Sequence, residues 1–436
     1  MHKTILRATS FVIKLRNLLA VFFCANLLVP AYAGEKMRVH FIDVGQGDAT
    51  LFEFPDAAIL VDAGFENNNA FDGEAALTVY LDTFFSRRHD LQNELRSLII
   101  THPHIDHTRG IYAVLDKYPP RNVVTNSQET SSGQAQQKAL HRYVEGNPDD
   151  PDDDKPYCAV LLDNIPENTG LHNGIIDPVN SPGVDPKITA LWGMVSSDPG
   201  WGNDRHGNAH FKNVNNHSIA FRVDFGKASL LHTGDLEEVA IRVLVERYSG
   251  SGLLDVDVYH VGHHGSKNGT TISLINAMTP DLAVIPMGPE SRHDSWTGWA
   301  YGHPRMEIVG MLQNQIMRRR SPISVKVGKG AKEFESVTIE KAVYATGWDG
   351  DIVLEADHED GSWKVIKPAS LVKLINVNTA SVEELKKLPA VGPVKAQAIV
   401  DHRTKIRFSR VEDLLQVKGI GPATLNRIRP LVTVGN

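Results

Sequence analysis

The stretch Thr101 to Gly110, THPHIDHTRG, directly follows the apolar run Leu98, Ile99, Ile100. It brings His102, His104, Asp106 and His107 into one loop at the exit of a predicted strand. Four ligands this close together cannot all serve one ion, so the spacing predicts two metals. Alternation in the first step of the loop puts His102 and His104 on one side, where two imidazoles hold one ion. Asp106 and His107 turn past it toward a second. A catalytic metal needs three or more protein ligands and an open position, so the fold must bring other strand ends to this loop.

The rest of the chain offers such ends. Residues 37–54, MRVHFIDVGQGDATLFEF, read as two alternating strands around a GQGD turn, and AILVDAG at 58–64 is a third strand ending in Asp62. Helices are expected over 74–87 and 111–118. A strand beginning NHSIAFRVD at 216–224 starts with His217, and another at 227–233 delivers Gly234 and Asp235. A helix over 237–248, a strand over 256–261 and the turn Gly262, His263, His264, Gly265 follow. Strands alternating with helices imply an α/β layered domain. A strand over 282–287, a loop ending in Gly302, His303, Pro304 and a helix over 305–317 complete it, and 323–365 reads as extra strands. His217 is expected to complete the set of His102 and His104. Asp235 is expected to bridge both ions, and His264 or His263 to join Asp106 and His107.

The motifs FIDVGQGDAT, LVDAG, HTGD, VGHHGS and YGHP resemble the metallo-β-lactamase superfamily of hydrolases, and within it the hydrolase domain of the ComEC/Rec2 competence proteins. The resemblance covers about residues 37–317. It implies an αββα sandwich with a dinuclear site at its edge. It assigns His102, His104, His217 and Asp235 to one metal, and Asp106, His107, Asp235 and His264 to the other. The catalytic residues would be Asp106, with His263 and His303 facing substrate, and Asp62, Asp43 and Asp48 would brace the ligands. Channel-forming relatives often carry Asn where this chain has His217, and no long apolar spans follow the N-terminal segment. His and Asp ligands accept Zn²⁺, Mn²⁺ or Fe²⁺, with Zn²⁺ taken as the first expectation.

Lys3, Arg7, Lys14 and Arg16 precede the apolar run 18–29, and Ala31, Tyr32, Ala33 supply a small-x-small cleavage site. Residues 1–33 are therefore expected to be a secretory signal, with export to the periplasm or beyond after cleavage near Ala33. Cys158 would then be the one remaining cysteine, which excludes an internal disulfide and a thiolate metal cluster.

The segment 370–436 has eleven Lys and Arg against five Asp and Glu. The whole chain carries −7; with +6 in this tail and +4 in the leader, the body 34–369 carries −17. A basic tail on an acidic body points to a polyanion gripped by the tail. Ser381 with Glu384, and Ser409 with Glu412, read as capping boxes. Each leads to a glycine-bearing turn, LPAVGP or VKGIGP, and a helix begun by Pro393 or Pro422. These two helix-hairpin-helix units resemble the ComEA-type DNA-binding module. The first hairpin has Ala390 where the pattern has glycine.

Backbone N–H groups at such a helix N-terminus hold phosphate without reading bases. The candidate DNA contacts are Val391, Gly392, Lys395, Lys418, Gly419, Ile420, Gly421 and Arg427. The expected organisation is a signal at 1–33, a hydrolase domain at 34–320 with an insertion at about 128–212, a β extension or linker at 321–369, and the all-α tail at 370–436. A metal-dependent phosphodiesterase or nuclease acting on DNA fits these features. Alternatives are a phosphoesterase for small or surface-polymer substrates of the phosphorylcholine type, and a non-catalytic DNA receptor.

Overall fold

The structure, a computed structural model, describes residues 36–146, 154–366, 374–388 and 390–435. The predicted signal and most of the acidic run 147–155 lie outside the described residues. Two β-sheets face each other. The first has eight strands in the order Trp363–Ile366, Ile352–Asp357, Lys36–Phe41, Thr50–Glu53, Ala58–Val61, Leu95–Ile100, Pro120–Thr125 and Tyr157–Ala159. The second runs Val343–Ala345, Leu282–Ile285, Val258–His260, Ala228–His232, Ala220–Phe225 and Lys187–Trp192.

Side-chain alternation builds the layers. Phe52, Ile59, Val61 and Ile99 point between the sheets, where they meet Val223, Leu230, Val258 and Val284 in the main core. Their neighbours Leu51, Leu60, Leu98 and Ile100 point the other way, onto Leu77, Leu81 and Phe84 of the helix Gly73–Arg87 and Ile111 and Val114 of Ile111–Lys117. On the outer side of the second sheet, the helices Glu238–Arg247, Ile272–Met278 and Met306–Gln315 bury Leu244, Leu274 and Val309. This is the expected αββα sandwich.

Three elements differ from expectation. The strand expected to begin at residue 216 begins at Ala220, because Val214–His217 form a 3₁₀ turn. Residues 321–369 are not a mere extension: Val343–Ala345 pairs in parallel with Leu282–Ile285, and Ile352–Asp357 pairs antiparallel with Lys36–Phe41. Both sheets therefore need this segment. In the tail, the second helical turn, Val411–Gln416, is capped by Asp413, which accepts from the Ser409 and Arg410 backbone, and not by Glu412. The first box, Ser381 with Glu384, forms as expected. The tail has its own core, which includes Leu385, Val391, Ile399, Leu414, Ile420 and Leu425.

One buried carboxylate staples the first sheet to its helix. Glu53, 2% exposed, accepts from Arg87 Nη1 and Nη2 at 2.6 and 2.7 Å, from Arg88 Nη1 at 3.1 Å, and lies 3.1 Å from His40 Nε2. Burial pushes its pKa up, but His40 and Arg87 outweigh burial and hold it far below its ordinary 4.5. A carboxylate depressed in this way stabilises the fold above its unfolded pKa and loses that contribution as pH falls through the folded one. Glu53→Gln should therefore cost about 3 kcal/mol at neutral pH in urea unfolding, and the gap to wild type should close as the pH drops below about 4.5.

Candidate functional site

Ala58–Val61 and Leu95–Ile100 run parallel, so their C-terminal ends emerge side by side. Asp62 at the first end has φ +55° and is fully buried. It accepts from the Thr101 backbone N–H at 2.8 Å and from Thr101 Oγ1 at 2.7 Å. Its Oδ2 also takes the Nδ1 proton of His107 at 2.7 Å. That bond turns Nε2 of His107 to the other side, toward Asp235 Oδ2 at 3.3 Å. Asp62 thus braces a neighbouring imidazole.

The short helix Ile105–Thr108 carries Asp106 and His107 and starts from His104. Its backbone lies so close to Gly64 that a Cβ there would stand 1.4 Å from the Asp106 carbonyl oxygen. Glycine is obligatory at that position.

In the second sheet, Ala228–His232, Val258–His260 and Leu282–Ile285 are parallel. The first end delivers Asp235, 3% exposed. The second delivers His263 and His264, both in the left-handed region with φ +51° and +52°. That turn lets adjacent histidines face one carboxylate. Oδ2 of Asp235 lies 3.3 Å from His107, 3.7 Å from His264, and 3.9 Å from both His102 and His263. His264 Nε2 is also 3.4 Å from Asp106 Oδ2, and its Nδ1 is fixed on the Pro286 carbonyl at 2.8 Å. His104 Nδ1 meets His102 Nε2 at 3.0 Å.

Burial pushes Asp235 up, yet His107, His264 and His263 hold it well below the usual carboxylate range. Burial likewise lowers His264, but Asp235 and Asp106 raise it to about 9.

Two ligand triads converge, His102, His107 and Asp235 in one and Asp106, His107 and His264 in the other. The buried Nε2 atoms of His107 and His264 have no hydrogen-bond partner. Imidazole nitrogens aimed at carboxylates without a proton-sharing contact suit divalent cations, so the donor set fits two ions of the kind His and Asp accept.

His217 stands apart from this set. Its Nδ1 accepts from the Val195 N–H at 3.1 Å and its Nε2 donates to the Phe211 carbonyl at 2.6 Å. Both ring nitrogens are used in holding the insertion, beside Trp201 and Phe211. The 3₁₀ turn, in place of the expected strand start, is what rotates it there. His263 faces Asp235 instead.

Asp43 also lies elsewhere, its backbone N–H on Asp351 Oδ1 at 2.8 Å and its carboxylate on the Gly45 N–H at 3.2 Å. Asp48 braces the site from below: its N–H donates to the Asp106 carbonyl at 3.0 Å, and its carboxylate lies 3.0 Å from His260 Nε2. His260 stacks on His232 at 3.7 Å because the two are partners in parallel register. Neither residue stands out in the sequence alone. A signal is present all the same, since each histidine ends a strand that leads into a ligand turn. His303, 8% exposed, stacks 6.5 Å from His264 and has Gln46 Nε2 at 3.4 Å from its Nδ1.

In the tail, the helices Pro393–Arg403 and Pro422–Ile428 begin at Gly392 and Gly421 with no side-chain cap. Gly419 has φ +90° and Ala390 φ +57°. Val391 and Ile420 are buried, and their N–H groups close on the Leu388 and Val417 carbonyls. They hold the hairpins and offer no donor, contrary to expectation. Lys395 Nζ bridges the hairpins through the Ala390 carbonyl at 2.9 Å and Thr424 Oγ1 at 3.1 Å. Lys418 is exposed. The Arg427 side chain lies outside what the structure describes.

Metal titration separates the two histidine placements. His217→Ala should keep two ions per chain and lose thermal stability, whereas Asp235→Ala should lose bound metal by inductively coupled plasma analysis. Equal metal loss in both would return His217 to the ligand set.

A family model described as the metallo-beta-lactamase superfamily matches residues 42–288, more than half of the chain, and a helix-hairpin-helix motif matches 372–433. Recombination protein 2 of Haemophilus influenzae is 27% identical over 277 residues, which is 64% of this chain and 27% of that protein. ComE operon protein 1 of Bacillus subtilis is 44% identical over 62 residues, 14% of this chain and 30% of that protein. Competence protein ComA of Neisseria gonorrhoeae is 37% identical over 132 residues, 30% of this chain and 18% of that protein. The chain spans less than a third of each of these relatives. Among the described residues no helix is long and apolar enough to cross a membrane. With its sandwich of sheets and its candidate metal-binding side chains gathered at the strand ends, the chain belongs to the metallo-β-lactamase superfamily of hydrolases and carries a helix-hairpin-helix motif at its C-terminus.

Proposed function

We propose that this protein is an exported, dinuclear metal-dependent phosphodiesterase that cuts DNA held by its basic tail. The observation that carries the reading is the single oxygen of Asp235 ringed by four imidazoles, in a chain that also carries two helix-hairpin-helix turns. His102, His104, His263 and Asp235 would hold one ion, and Asp106, His107, His264 and Asp235 the other. Divalent cations bound there would lower the pKa of water and neutralise charge growing on a phosphoryl oxygen.

The chain's own groups do the rest. Asp62 and Asp48 hold the ligand loop rigid through His107 and the Asp106 backbone. Water adds to phosphorus and the phosphorus–oxygen ester bond breaks. Gln46 donates to Nδ1 of His303, which keeps the proton of the neutral ring on Nε2, and we assign that atom a hydrogen bond to the leaving oxygen, which takes up the proton given up by the attacking water. The tail supplies grip: Lys418 and the N-termini at Gly392 and Gly421 meet backbone phosphate, which gives affinity without sequence preference. The competence-related names of the relatives agree with a DNA substrate.

Purified protein incubated with DNA and Mn²⁺ or Zn²⁺ should cleave it, and Asp106→Ala should lose more than about a hundredfold in rate. No cleavage by wild type, or equal cleavage by the variant, would sink the reading. Deleting residues 370–436 should weaken DNA binding and flatten its salt dependence by about 0.9 in log–log slope for each phosphate the tail had neutralised.

A further inference from the structure

The loop that reaches His303 presents a tryptophan in an unusual way. Trp296 is 74% exposed, although burial of an indole is among the larger gains a fold makes. Its backbone has φ +63°, a region that bulky side chains avoid. The conformation is held from beneath. Thr297, fully buried, donates its hydroxyl to the Asp294 carbonyl at 2.8 Å and accepts from the Ala300 N–H at 3.2 Å. The hairpin of Arg319–Gly330 and Glu333–Lys341 pins the same loop, since the Lys332 N–H donates to the Trp299 carbonyl at 2.9 Å. Backbone strain maintained by buried bonds, for a side chain that packs little, marks a functional position more often than a core one.

What Trp296 faces tells which function. Its ring meets Tyr301 at 6.2 Å, tilted by 65°. Tyr301 stacks on His303 at 5.5 Å and 23°. His303 lies 6.1 Å from His263 and 6.5 Å from His264. Aromatic rings therefore form a continuous row from solvent to the ligand cluster. Beside it, Lys332 sets its ammonium 5.1 Å from the Trp299 ring.

We propose that this row is a base-stacking subsite, and that the site takes single-stranded nucleic acid or an unpaired end. The inference rests on the phosphodiesterase reading above. Every base has a π face, so stacking tolerates sequence, in keeping with a tail that grips phosphate alone. In a duplex those faces are covered by neighbouring pairs, and the row has nothing to receive. An unpaired strand whose scissile phosphate lies at the metal ligands would bring the adjoining bases onto the exposed rings of Tyr301 and Trp296.

The test uses the full metal-loaded chain and short phosphorothioate-linked oligomers that resist cleavage, with binding read by fluorescence anisotropy. The probes are a thymidine oligomer, an abasic oligomer of the same length and a duplex; the tail meets backbone phosphate in all three. Wild type should prefer the thymidine oligomer over the abasic one by about tenfold. Trp296→Ala should erase most of that preference and leave abasic and duplex binding unchanged, and Trp296→Phe should keep it. No preference in wild type, an equal loss on abasic or duplex DNA, or a preference untouched by Trp296→Ala would overturn the subsite. So would competition by phosphorylcholine that Trp296→Ala abolishes, since the ring would then be a cation site. Failure of the cleavage assay would instead overturn the phosphodiesterase reading, because the anisotropy measurement reads base preference and does not depend on turnover.

Discussion

A carboxylate carried by the end of an apolar strand, shut off from water, has to be compensated. Asp235 meets that demand with four imidazoles on one of its oxygens. Those rings come from two sheets and two loops, so the carboxylate fixes how the sheets' ends lie against each other. The bracing groups below it follow the same logic. Asp62 orients His107, and Asp48 ties the GQGD turn both to the Asp106 backbone and to His260. Such a nest of buried acid and imidazole stabilises poorly by itself. Divalent cations held there would complete its compensation, so the donor geometry and the energetics point the same way.

Local spacing makes much of this legible. His102, His104, Asp106 and His107 sit on one loop, so one strand exit delivers them together, although Asp62 on a neighbouring strand sets the direction of the His107 ring. Asp235 and the paired His263 and His264 are legible for the same reason. His217 is not: its direction depends on the insertion, whose Val195 and Phe211 backbones capture both ring nitrogens. His232 and His260 become meaningful only when parallel register stacks them over Asp48. The helix-hairpin-helix turns are visible as turns, but which N–H groups remain available depends on bonds within each hairpin. Val391 and Ile420 lose theirs to Leu388 and Val417. The sandwich is legible from alternation; its completion by residues 343–366 is not, because short strands far along the chain carry no signal of their partners.

Charge divides the labour in the chain. The body carries a strong negative net charge and the tail a positive one, so long-range attraction delivers a polyanion to the tail first. Near the ligand cluster, recognition by the body has to come from short-range contacts, cationic or aromatic, that overcome its own field. Rigid loops suit that task better than mobile ones, since each ordered contact then costs less entropy on binding.

The pairing of Lys36–Phe41 with Ile352–Asp357 bears on how the molecule is made. The first strand of the sandwich waits for a partner synthesised more than three hundred residues later. Until then its hydrogen-bonding edge stands open, and an open edge invites pairing with other chains. Contacts of such long sequence separation also form slowly. The body therefore closes only when nearly all of it has been made, and the tail emerges onto a domain that has just become able to fold. Any truncation before residue 352 would leave a sheet whose exposed border is its own first strand.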